Sequence, residues 1–110
     1  MIKFEKEKYY GNIEYKLKLI DLTKLRIEKY ISQMRFRLIE GDGIAVYIIG
    51  VTDNGYIVGI HNLKKTFKNF KLIIKKNNAK IMTKKMFLYK NKLFLIFKIK
   101  SKLFKKKFFL

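Results

Sequence analysis

The sequence predicts an α+β fold: one two-layer domain with helices packed on a mixed or antiparallel sheet. Three observations predict it. Residues 12 to 20, NIEYKLKLI, alternate apolar and polar side chains as a half-buried strand does. Residues 23 to 40 and 62 to 76 repeat apolar side chains at helical spacing. Residues 43 to 60 and 81 to 100 each read as two β-rich runs folded about a turn. The expected order is β-α-β-β-α-β-β, and 110 residues suit a single domain. Residues 1–100 form that domain, and 101–110, SKLFKKKFFL, are a basic Lys/Phe tail without a clear period.

In the first strand Ile13, Tyr15, Leu17 and Leu19 fall on one side, predicted inward, and Glu14, Lys16 and Lys18 on the other, predicted outward. Asp21 or Thr23 can cap the helix that follows. Ile27, Ile31, Met34 and Leu38 face the core, and Gly41 and Gly43 end the helix, since glycine accepts a left-handed conformation. The stretch GIAVYIIGVTDNGYIVGI hinges on Asn54-Gly55, a pair suited to a two-residue type I′ turn. Its first run is apolar on both faces, which predicts a central strand covered on both sides. In the second helix Leu63, Phe67, Phe70 and Ile74 share the core face and lysines the other. The last hairpin turns near Lys90-Asn91.

Composition removes several kinds of chemistry. There is no cysteine, so no disulfide, thiolate metal site or cysteine nucleophile. His61 is the sole histidine, which leaves no histidine triad or zinc cluster; it reads as a helix-start residue. No stretch matches the phosphate-binding loop G-x-x-x-x-G-K-[ST], so no nucleotide is expected. No apolar run approaches the roughly 20 residues that span a membrane, and MIKFEKEKYYG lacks the apolar region of a signal peptide. No metal and no cofactor are expected.

Net charge is +19, and its distribution is lopsided. All eight acids lie within residues 1–53, whereas residues 54–110 hold 17 lysines and no acid. Such a segment repels itself unless a polyanion is near. A/T-rich codons can explain lysine in place of arginine, but not acids missing from one half only. The candidate interface comprises Lys64, Lys65, Lys68, Lys71, Lys75 and Lys76 on the second helix and Lys84, Lys85, Lys90 and Lys92 on the last hairpin. It continues into Lys102, Phe104, Lys105, Lys106, Lys107 and Phe108 of the tail. Lysines neutralise phosphates and release counterions, and exposed aromatic rings stack on unpaired bases. A membrane surface is the rival partner for the tail. A separate pair of acids, Glu14 and Asp53, would approach each other if their strands were neighbours, and two carboxylates can hold a divalent cation for phosphodiester chemistry.

GNIEYKLKLI and RIEKYISQMRFRLIEGDGIAVYIIGVTDNGYIVGI, with their spacing, resemble the N-terminal domain of the GTP-binding protein 1 and 2 group. Those are elongation-factor-like GTPases connected with translation and ribosome rescue. The resemblance covers about residues 11 to 60, and implies an accessory domain without the G domain, joined to a basic C-terminal part. A wider resemblance, through EYK and GVTDNGYIVG, is to the Schlafen-type, Alba-like domain, some members of which cut transfer or ribosomal RNA with three carboxylates. Two of these map onto Glu14 and Asp53. The third falls on Tyr9, with Glu5 and Glu7 nearby but out of register.

The resulting expectation is a non-catalytic, cytoplasmic RNA-binding protein that associates with the ribosome, its rRNA and further ribosomal proteins, without membrane or nucleotide. It would regulate translation or act in ribosome hibernation or dormancy. The alternative is a metal-dependent ribonuclease of Schlafen type using Glu14 and Asp53.

Overall fold

A computed structural model describes residues 2–103. Six elements follow one another: β1 (Ile13–Lys16), α1 (Lys24–Glu40), β2 (Ile44–Ile49), α2 (Leu63–Lys76), β3 (Ala79–Tyr89) and β4 (Lys92–Ser101). The sheet order is β1-β2-β4-β3, with β1 parallel to β2 and the other pairs antiparallel. This is the expected α+β domain, with both helices packed on a four-stranded mixed sheet.

Each helix starts where its sequence provides an acceptor for a free backbone N–H. Thr23 accepts from Arg26 N at the start of α1, and Asn62 accepts from Lys65 N at the start of α2. Gly41 closes α1 by donating to Arg37 O, and Gly43 follows at φ 95°. Asn77 ties the helices together, since its side-chain amide donates to both Ile31 O and Ile73 O.

Two apolar clusters lie on the two faces of the sheet. On the helix face Met34 and Leu38 of α1 and Phe70, Ile73 and Ile74 of α2 pack on Ala45, Tyr47, Ile49, Leu95, Phe97 and Ile99. On the other face Tyr15, Ile48, Val51, Ile57 and Phe94 form a smaller cluster. Its cover is the N-terminal arm: Phe4 meets Phe94 edge-on at 5.6 Å, and Phe4 N donates to Gly55 O. So β2 is central, as its doubly apolar run predicts; the helices cover one face, and on the other face the cover lies over Ile48, with Ile44 and Val46 half-buried.

Four local expectations change. β1 turns Glu14 and Lys16 to the helices, where both are buried; of the side predicted inward, Tyr15 and Leu19 are buried, Tyr15 on the face away from the helices, but Ile13 is exposed. The alternation fixes which residues share a side but not which side faces the helices, and α1 supplies Arg37 as an ion-pair partner for Glu14 and Gln33 as a hydrogen-bond acceptor for Lys16. The second run of the first hairpin is not a strand. β4 pairs with β2 from Ile44 to Ile49, and Gly50 at φ 99° turns the chain off the sheet. Only the bridge Val51–Ile57 remains, which leaves six elements in place of seven. The turn inside that bridge is a three-residue loop, Asp53-Asn54-Gly55. Gly55 N donates to Thr52 O, Thr52 N donates to Tyr56 O, and among the loop residues only Gly55 has positive φ, 93°. That is the type I turn with a glycine bulge. Lastly, Leu63 is exposed on α2, and Thr66 and Ile73 take core positions beside Phe70 and Ile74. The type I′ geometry occurs instead at Lys90-Asn91, where φ is 48° and 62°.

Candidate nucleic-acid interface

The helical lysines stand where the periodicity puts them. Lys64, Lys65, Lys68, Lys71, Lys75 and Lys76 are all exposed on α2. Lys84 and Lys85 are exposed on β3 but on opposite faces of the sheet. Lys84 pairs across with core Phe97 and Lys85 with Ile96, which packs on the other cluster. Lys84 therefore joins the α2 group, and its ammonium and that of Lys71 each lie 4.7 Å from the Phe67 ring. Lys90 and Lys92 sit at the hairpin tip, and Lys102 is exposed just past β4. Phe104, Lys105, Lys106, Lys107 and Phe108 lie outside the described residues. Among the described residues, the ion pairs are Lys16–Glu14, Arg37–Glu7 and Arg37–Glu14. No described lysine after the first hairpin is neutralised by an acid.

Three further lysines, outside the candidate residues on the helix and the hairpin tip, belong to the surface. Lys80, Lys98 and Lys100 are exposed on the sheet face away from the helices. Lys80 is directly opposite Lys100, and Lys98 opposite Val46. Period-2 spacing of Lys98 and Lys100 in FKIKS was the available signal.

The acids form a different kind of cluster. Glu14 and Asp53 line one cavity of about 730 Å³, together with Glu7, Lys29, Gln33 and Arg37. Tyr9, at the position where the resemblance places a carboxylate, lines it as an exposed ring. Glu7 lies beside Glu14 and Asp53, because its N–H donates to Asp53 O and its carboxylate accepts from Tyr15 N. Burial raises the Glu7 carboxyl from 4.5 to about 7, with Glu14 and Asp53 adding to the rise and the Tyr15 N–H opposing it.

Arg37 is the centre of this cluster. Its Nε donates to Glu14 at 2.9 Å, one terminal nitrogen donates to the carbonyls of Tyr10 and Gly11, and the other to that of Lys8. Glu14's second oxygen faces Lys16 Nζ at 3.3 Å, and that ammonium also donates to Gln33 and lies 4.1 Å from the Tyr30 ring. The chain's own cations thus occupy both oxygens of Glu14. Among the described residues no group of three or more metal-ligating side chains is placed to hold an ion. The set does not fit a catalytic divalent metal; its geometry is that of a neutralised clasp binding the N-terminal arm to α1 and β1. No helix among the described residues is long and apolar enough to cross a membrane.

No family model matches the chain, and no solved structure matches it. Over 50 residues it is 58% identical to GTP-binding protein 2 of mouse and of human, a stretch that is 46% of this chain and 8% of theirs. It is also 37% identical over 78 residues to an uncharacterized protein of Acanthamoeba polyphaga mimivirus, covering 70% of this chain and 41% of that one. The chain therefore spans a small part of the first two relatives and less than half of the third. Across that short stretch the chain is related to the GTP-binding protein 2 group.

Proposed function

We propose that this is a non-catalytic RNA-binding protein that works on the ribosome, through its rRNA, as a regulator of translation or a hibernation or dormancy factor. A cytoplasmic site of action goes with that reading. One observation carries it: every described lysine after the first hairpin is exposed and free of acidic partners, over α2, both hairpin strands and the turn between them. A folded surface of unneutralised cations is the electrostatic footprint of a polyanion. The relation to a GTP-binding protein supports translation only through that group's connection with the ribosome. The ribonuclease alternative has less support, since Arg37 and Lys16 already hold Glu14.

The test is co-sedimentation with purified ribosomes across a salt series. If roughly 6 to 10 phosphates are met, log affinity falls with log salt at a slope of about −4 to −7. Replacing Lys64, Lys68 and Lys71 by glutamine flattens the slope by about 2. Salt-independent binding, or none, rejects the reading.

A further inference from the structure

Among the described residues, the sheet face away from the helices is covered at one end only. Phe4, Val51 and Ile57 cover the end that holds Tyr15, Ile48 and Phe94. The described residues leave the other end uncovered, and its side chains are sorted by polarity across the strands. On β3 and β4 it carries Lys80, Lys98 and Lys100. On β1 and β2 the same end carries Ile13, Ile44 and Val46: Ile13 is 46% exposed, Ile44 is half-buried, and Val46 is half-buried where it borders the covered cluster. Neighbouring strands lie about 4.8 Å apart, so roughly 10 Å separates the β4 lysines from Ile13. Beyond Ile13, a cavity of about 220 Å³ has a mixed lining that includes Tyr10, Ile13 and Tyr15 but also Glu5 and Glu7.

Two features are unfavourable for the chain alone. Like charges directly opposite on paired strands destabilise a sheet, and Lys80 faces Lys100 in that way. Beside them Ile13 is exposed, and Ile44 and Val46 are only half-buried. A polyanion relieves the first, and only one with accessible apolar faces relieves the second. A nucleic-acid duplex offers phosphates but keeps its base faces stacked inside. A single strand offers phosphates along one side and unstacked bases along the other.

We propose that this uncovered end of the sheet is a seat for unpaired RNA, with the phosphates on Lys80, Lys98 and Lys100 and the bases on the shelf of Ile13, Ile44 and Val46. The proposal rests on the RNA-binding reading and assigns it a place and a strandedness. The lysines of α2 then supply general attraction, while the sheet face discriminates single strands from duplex. Contacts of this kind read backbone and base planes rather than base edges, so sequence preference is weak.

The experiment uses the full chain and two probes of equal length, fluorescent oligouridine and an RNA duplex, read by anisotropy. The triple change Lys80→Gln, Lys98→Gln, Lys100→Gln is compared with an equal loss of charge on α2, Lys64→Gln, Lys65→Gln, Lys68→Gln. The expected result is a loss of at least tenfold in oligouridine affinity for the sheet triple, a smaller loss for the α2 triple, and preference of the unaltered chain for oligouridine over duplex. Ile13→Ala, at an exposed edge position, weakens oligouridine binding and leaves duplex binding unchanged. A thermal melt checks the fold, and the sheet triple melts no lower than the unaltered chain because a like-charge pair has gone. If the sheet triple melts early, the Lys98→Gln single change gives the same comparison with a smaller loss. Equal losses for both triples, or equal affinity for both probes, overturn the proposal while leaving RNA binding intact. Failure of the unaltered chain to bind either probe removes the RNA-binding reading itself, and this proposal with it.

Discussion

Replacing Arg37 by leucine tests the clasp. Arg37 is 4% exposed and donates to one carboxylate and three backbone carbonyls. Leucine fits an α-helix and fills part of the space, so the loss is electrostatic and hydrogen-bonded rather than steric. Removing one partner of a buried ion pair leaves the other charge unpaired, at a cost of about 3–5 kcal/mol. Lys16 remains 3.3 Å from Glu14 and offsets part of this, so the expected loss is about 2–4 kcal/mol. The carbonyls of Lys8, Tyr10 and Gly11 belong to an arm that can turn to water, and add little. Urea unfolding measures the difference; with a native stability of about 5–15 kcal/mol, a loss of that size moves the midpoint well beyond error. Arg37→Lys recovers only a minor part, since an ammonium cannot reproduce the planar fork that spans Glu14 and the arm. The pair Arg37→Leu, Glu14→Leu is closer to the unaltered chain than Arg37→Leu alone, because the buried Glu14 charge goes with its partner, although Lys16 then keeps only Gln33 and Glu7 loses Arg37. A loss below about 1 kcal/mol for Arg37→Leu would refute the clasp, since a surface ion pair contributes no more than that.

Three other changes test separate parts of the fold. Gly55→Val is expected to destabilise by more than about 1 kcal/mol in a thermal or urea melt, because Gly55 has φ 93° and an added Cβ would lie 2.0 Å from Phe4 O. Asn91→Gly is expected to raise the melting temperature slightly, by about 0.5 kcal/mol of stability, since the type I′ turn needs positive φ at both central positions and glycine accepts it freely. Glu7→Gln is expected to flatten the pH dependence of stability. The folded carboxyl at about 7 lies above the ordinary 4.5, so the folded state holds a proton that the unfolded chain has released. Stability therefore falls as pH rises from about 4.5 to 7, by on the order of 1 kcal/mol after allowance for solvent screening, and the variant should lose that slope.

Most of the scaffold was legible because local chemistry fixed it. Thr23 and Asn62 cap the helices they precede, Met34 and Leu38 face inward at helical spacing, and Lys90-Asn91 turns the last hairpin. The errors concern decisions made across the chain. Alternation in NIEYKLKLI is the same whichever side faces α1, and burial of Glu14 depends on Arg37, 23 residues away. Arg37 falls on the helical stripe of Gln33, Met34 and Leu38, and a cation on a core-facing stripe was the signal available. YIVGI reads as a strand by itself, but β4 had already taken the edge of β2 that it would have needed. Of the candidate interface, the α2 lysines were visible from periodicity. The sheet lysines required knowing that β3 and β4 leave one face uncovered.

Among the described residues β3 is an edge strand with no neighbour on its outer side, and it runs for 11 residues, from Ala79 to Tyr89. Unpaired amides along such a length invite a strand from another copy of the chain. The edge carries its own deterrents: Lys80, Lys84 and Lys85, and a break in register between Ile81 and Thr83. Two copies meeting there would bring these cations face to face with no acid between them. The repulsion reaches about 10 Å in 0.1 M salt and much less at higher salt, so dilute buffers keep the copies apart better than concentrated ones. The lysines proposed to meet a polyanion would also hinder the chain from adding strands to itself.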